Sequence, residues 1–226
     1  MTRQPDPTTC GPTCLHAVYR HHGERIELDQ VIAEVPRLEG GGTLAVCLAN
    51  HALGRGYHAR LHTYNLEVFD PTWIGLPAPE MIARLDRRLA RRRERRFRAA
   101  ALAYREFLER GGEIRMEDLS VNLFRKPLSE GLPVIAGVSA TYLYQEPREI
   151  PDSNLPDDIH GDPAGHFVVL TGYDRESREL EIADPLQPNP LGPGPAYRVD
   201  PRRTLTAILL GVLTYDANLL TLRPQS

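Results

Sequence analysis

Lysine is almost absent from this chain. Of 27 basic residues only Lys126 is lysine, and the other 26 are arginine. The bias reflects a GC-rich genome rather than a basic function, because 30 acidic residues leave the net charge at −3. Such a chain has no global field to attract nucleic acid, and no nucleic-acid partner is expected. Cysteine is scarce as well, at three in 226 residues: Cys10, Cys14 and Cys47. An odd count, without an apolar segment near the N-terminus to direct export, argues against a disulfide frame and for reduced thiols in the cytoplasm. No apolar run reaches the ~20 residues of a membrane span, so no membrane partner is expected. What is present, 41% hydrophobic and 25% charged residues, suits a soluble domain with a sizeable core.

Helices lead and strands follow. Pro12 fits the first turn of a helix, where its missing N–H costs nothing, and Gly23 suits the helix end, so a helix is expected over 11–22. A second is expected over 27–35. The glycines 40–42 read as a hinge, and Thr43 as the cap of a third helix reaching residue 53. Residues 57–64 alternate like a strand with one wet face. From Pro77, the residues Ile82, Leu85, Leu89, Phe97, Ala101, Tyr104 and Leu108 share one face up to Gly111, which predicts one helix of roughly 32 residues, about 48 Å long. Between Arg84 and Arg98 it carries nine arginines against Asp86 and Glu94. A short helix near 117–130 precedes strands at 132–144, 165–173 and 179–183. Further short strands at 197–199, 212–215 and 219–222 are expected around a helix at 202–210. This order gives an α+β class.

The chemistry concentrates at two places. Cys10 stands at or just before the N-terminus of the first helix, where the dipole and free N–H groups favour a thiolate. Gly11 leaves room beside it for a substrate carbonyl. His166 opens one strand, and Asp184 closes the next strand of the same hairpin, 18 residues on. Antiparallel pairing then sets imidazole beside carboxylate, the arrangement that a Cys-His-Asp triad needs. Gln4, six residues before Cys10, can donate its side-chain amide to an oxyanion next to the Cys10 N–H. Cys14 and Cys47 read as core residues. No metal ligand set and no cofactor are expected.

Gln4, then Cys10-Gly11-Pro12, then Gly165-His166-Phe167-Val168-Val169-Leu170, then Asp184-Pro185 resembles the papain-like cysteine peptidases. More narrowly, the order is similar to the bacteriocin-processing family, which cuts double-glycine leader peptides. The likeness extends over residues 1–64 and 130–186. It implies a papain-like domain over residues 1–226, with helices carrying the Cys packed on an antiparallel sheet carrying His and Asp. Gln4 would line the oxyanion hole, Cys10 would be the nucleophile, His166 the base and Asp184 its orienter. Residues 65–129 read as a helical insertion. Members of that family are often fused to a membrane transporter, and this chain contains no such region.

Three function classes stay open on the sequence. One is a thiol hydrolase cutting an amide bond in a peptide or small amide. Another is an acyltransferase or transpeptidase that passes the same thioester to an amine. The last is a catalytically dead binding protein, with an acidic partner on the arginine helix between Arg84 and Arg98.

Overall fold

The computed structural model describes residues 1–225 apart from 40, 152, 215 and 216. Seven strands form one sheet: β1 (Tyr57–Thr63), β2 (Glu113–Arg115), β3 (Val134–Ser139), β4 (Gly165–Tyr173), β5 (Leu180–Ala183), β6 (Ala196–Val199) and β7 (Asn218–Pro224). Their order is β2-β1-β7-β3-β4-β5-β6, antiparallel throughout except for the short β1–β2 pair. Eight α-helices are described: α1 (Cys10–His21), α2 (Leu28–Glu34), α3 (Ala45–Gly54), α4 (Ala78–Arg91), α5 (Arg95–Glu109), α6 (Asn122–Ser129), α7 (Ala140–Tyr144) and α8 (Pro201–Leu210).

Residues from β4 divide between two buried clusters. Phe167 and Val169 join Leu15, Val18, Leu48, Leu85 and Phe107 of the first five helices, while Val168 and Leu170 join Phe124, Leu143 and Ile208 of the last three. Period-two alternation gives each face of a strand its own partners. The unbroken apolar run Phe167–Leu170 therefore belongs to a strand covered on both sides. The expected α+β class is the one observed.

Several local expectations need correction. The long helix from Pro77 is two helices, α4 and α5, packed on each other. The heptad-like face has a gap between Leu89 and Phe97, filled with arginines, alanine and glutamate, so a straight helix there would have buried nothing. The break at Arg92 instead lets Phe97 return to the core, with the Arg88 and Arg92 guanidiniums over its ring at 5.4 and 4.5 Å. Arg98 Nη1 donates to the carbonyls of Leu89 and Arg92, satisfying the end of α4. The run 132–144 is strand only to Ser139, whose hydroxyl accepts from Tyr142 N–H and starts α7.

Thr43 does not cap α3; it donates to Pro36 O, and Leu44 occupies the cap position. Within the expected hinge, Gly41 has φ of +93° and approaches Thr8 so closely that a Cβ would meet its methyl at 2.7 Å; Gly40 lies outside the described residues. Residues expected as a strand at 212–215 form a 3-10 turn over Gly211–Thr214 instead, and Tyr215 lies outside the described residues.

Phe97 is fully buried and its ring faces two guanidiniums. Phe97→Ala is expected to cost about 3–5 kcal/mol in denaturant unfolding, whereas Arg93→Ala on the exposed turn is expected to change stability by less than about 0.5 kcal/mol.

Candidate active site

Cys10 is the first residue of α1. The preceding Thr9 gives no side-chain cap, because its hydroxyl donates to Asp6 O. The positive end of the helix is thus left without a capping side chain beside the thiol, where N–H groups favour negative charge. The helix lies close against β4. Cys14, one turn on, donates its S–H to Phe167 O at 3.2 Å. A Cβ on Gly11 would stand 2.7 Å from the Thr43 methyl and 3.2 Å from the Phe167 ring. Gly11 therefore serves close packing of α1, not the approach of a substrate carbonyl, which corrects the expectation from the sequence.

His166, the second residue of β4, is buried and faces Cys10 and Asp184 together. Its Nε2 lies 2.9 Å from Asp184 Oδ1, which leaves Nδ1 as the ring nitrogen for the thiol. Antiparallel pairing makes this contact: Val169 is paired with Ala183, so Asp184, the next residue, comes level with the start of β4. Burial opposes a charge on the imidazole. The hydrogen bond to Asp184 and the interaction with the neighbouring Cys10 thiol outweigh it and push the His166 pKa up to about 10.

Asp184 is wholly buried, yet its carboxyl is held below the usual range. Burial alone would raise it; His166, Tyr144 and the Leu186 N–H prevail. Oδ1 accepts from His166 and from Leu186 N–H at 2.9 Å each. Oδ2 accepts from the hydroxyls of Tyr144 at 2.7 Å and Tyr197 at 2.8 Å. The two tyrosines were not legible as site residues, since each read only as part of a strand.

Gln4 is buried and joins the same neighbourhood through its backbone N–H, which donates to Pro185 O at 2.9 Å. One N–H of its amide donates to Asp6 O at 2.9 Å, which fixes the direction of the other. Gln4 and His166 both line a cleft of about 740 Å³ between residues 3–7, the end of α7, the loop 145–164 and residues 186–190. Glu149 also lines it; burial raises the Glu149 carboxyl and the His166 charge partly offsets that. A larger cavity of about 940 Å³, lined by His58, Arg60 and Arg125 among others, includes none of Gln4, Cys10, His166 and Asp184.

Burial pushes the thiol of Cys14 well above the ordinary range, with Cys10 and Asp184 adding to the effect, and burial raises Cys47 as well. Of the arginines from Arg84 to Arg98, most are engaged within the chain: Arg84 with Glu80, Arg92 with Glu67 and Glu94, Arg95 with Glu39, Arg88 with Glu67 O and Arg96 with Thr214 O.

The family described as Peptidase_C39 like family matches residues 103–194, a stretch that includes His166 and Asp184 and leaves Gln4 and Cys10 outside. No curated protein matches the chain. Among solved structures, one described as a C39-like peptidase from Bacillus anthracis superposes with a TM-score of 0.53 at 14% identity, covering 100% of this chain and 94% of that one. The peptidase domain of Streptococcus ComA, a bi-functional ABC transporter involved in a quorum-sensing pathway, gives a TM-score of 0.47 at 16% identity, over 99% and 97% of the two chains. The papain-like fold expected from the sequence is borne out, and so is the resemblance to that peptidase family, in the form of the match to C39-like peptidases. No helix among the described residues is long and apolar enough to cross a membrane.

Mild treatment with iodoacetate at about pH 6, below the ordinary thiol range, is expected to carboxymethylate Cys10 and to spare Cys14 and Cys47, as peptide mass mapping would show. The anionic reagent is drawn by a protonated imidazole, so the rate should hold while His166 keeps its proton and fall as pH rises through about 10. In His166→Ala the reaction at low pH should vanish. Equal labelling of all three thiols would contradict this site.

Proposed function

We propose that this chain, which has the papain-like fold of the C39 peptidases, is a thiol hydrolase that cleaves an amide bond, in a peptide, through a thioester on Cys10. The observation that supports the reading best is a buried imidazole shared between a helix-terminal thiol and a buried carboxylate. His166 Nδ1 holds the proton that Cys10 has given up, so the pair rests as imidazolium and thiolate, and the thiolate adds to the scissile carbonyl carbon. The oxygen becomes an anion, which the Cys10 N–H and the second N–H of the Gln4 amide stabilise. His166 then gives its proton to the leaving amine as the C–N bond breaks. Water, deprotonated by the same imidazole, attacks the thioester; the carboxylic acid leaves and the thiol returns. Asp184 keeps the imidazole turned with Nδ1 toward sulfur.

The substrate is expected to lie in the cleft that Gln4 and His166 line. An extended peptide suits it, because loop and N-terminal segment form two walls rather than a closed pocket. On the α4–α5 hairpin, the exposed Arg87, Arg91 and Arg93 offer an acidic partner a surface.

The test is turnover of a peptide library followed by mass spectrometry. Cys10→Ala is expected to abolish cleavage while the far-ultraviolet circular dichroism stays unchanged. Gln4→Ala should lower kcat by about 10²–10³, the usual loss of one oxyanion donor, with little change in KM. Full cleavage by the Cys10→Ala protein would refute the proposal. Products capped by an added amine instead of water would redirect it to acyl transfer.

A further inference from the structure

We infer that Tyr144 and Tyr197 are positioning residues of the thiol site: their hydroxyls hold the Asp184 carboxylate in one rotamer and moderate its pull on His166. The inference rests on the reading of Cys10, His166 and Asp184 as the reacting centre. Asp184 has no exposed surface, so no solvent shell shares its charge. A carboxylate offers about four lone-pair directions, and here four donors fill them: His166 and Leu186 N–H on Oδ1, Tyr144 and Tyr197 on Oδ2.

The two phenols come from separate elements. Tyr197 belongs to the edge strand β6, and Tyr144 is the last residue of α7. Either ring could have packed in its apolar cluster as phenylalanine; the hydroxyls add the contact to Asp184 and an interaction with each other. Burial and the charge of Asp184 push both phenols far above their ordinary range, so they act as donors and do not take part as acids. Tyr144 also sits directly before Gln145, a non-glycine residue at φ of +60° that opens the loop lining the cleft. Tyr144 thus both lines the cleft and donates to Asp184.

Two consequences of opposite sign follow from the chemistry. A phenol O–H draws part of the carboxylate charge to itself. Without one, more charge faces the imidazolium, which then keeps its proton to higher pH. The freed carboxylate also rotates, so the imidazole is less often turned to the thiol and the reaction slows.

Iodoacetate needs no knowledge of the substrate and is the probe. Its rate with Cys10 is measured between about pH 5 and pH 11 for the native protein, Tyr144→Phe, Tyr197→Phe, the double variant and Asp184→Asn. Each single phenylalanine is expected to lower the rate at neutral pH about tenfold, the loss of one charge-assisted hydrogen bond, and to move the alkaline limb up by about half a unit. Asp184→Asn should move the limb down, toward about 6.5. Slower reaction with an unmoved or lowered limb in both phenylalanine variants would mean that the rings only pack, and would overturn the inference. Should a variant fail to fold, 3-fluorotyrosine at position 144 keeps the shape and strengthens the donor; the limb must then move down, and an unmoved limb overturns the inference equally. A native protein with no preference for Cys10 would instead overturn the hydrolase reading and this inference with it.

Discussion

A carboxylate with no access to water governs this site. An unpaired charge at such depth costs several kcal/mol, so the fold is compelled to deliver donors to Asp184. It does so from four places: the start of β4, the turn after Pro185, the end of α7 and the edge strand β6. Each of those elements has its position set in part by this one side chain. The return is felt at His166, whose burial would otherwise strip it of its proton and which is instead held protonated well above the ordinary histidine range. The same turn reaches the N-terminal segment, because Pro185 O accepts from Gln4 N–H. The Gln4 backbone, the imidazole and the carboxylate are thus linked within a few residues of Asp184.

Close packing of α1 on β4 is the second constraint. Cys14 reaches Phe167 O, and Gly11 is wedged against Thr43 and Phe167 with no room for a methyl group. Cys14 is insulated by this arrangement, its thiol raised by burial. Cys10, four residues earlier, is brought to His166 by the same contact. One helix therefore sets Cys10 beside His166 and buries Cys14 completely, so the two thiols differ in both neighbour and depth.

The legible part of this arrangement was the part written in local pattern. The strand over Gly165–Tyr173, the Pro12 signal at the start of α1 and the Asp184-Pro185 stop after β5 each follow from neighbours in sequence, and together they bring His166 to Asp184. Tyr144 and Tyr197 lie 40 and 13 residues from Asp184 and reach it only through tertiary packing, so no spacing announced them. Gly11 reads as room for a substrate because the neighbours that crowd it, Thr43 and Phe167, stand far from it in sequence and reach it only in the fold. The α4–α5 break was missed for a different reason. The apolar face lapses between Leu89 and Phe97 and resumes in phase beyond the lapse, and the decisive contacts, Arg88 and Arg92 on Phe97, exist only after the chain has folded back.

If Cys10, His166 and Asp184 share their protons as one system, the titration of His166 must show it. In protein carrying labelled histidine, the His166 imidazole is followed by NMR from neutral to alkaline pH, before and after Cys10 is blocked with methyl methanethiosulfonate. His166 is expected to keep its proton through pH 8 and to release it near pH 10, and blocking the thiol is expected to move the release downward. Release at about 6.5, the value of a free imidazole, with no response to the state of Cys10, would contradict that sharing.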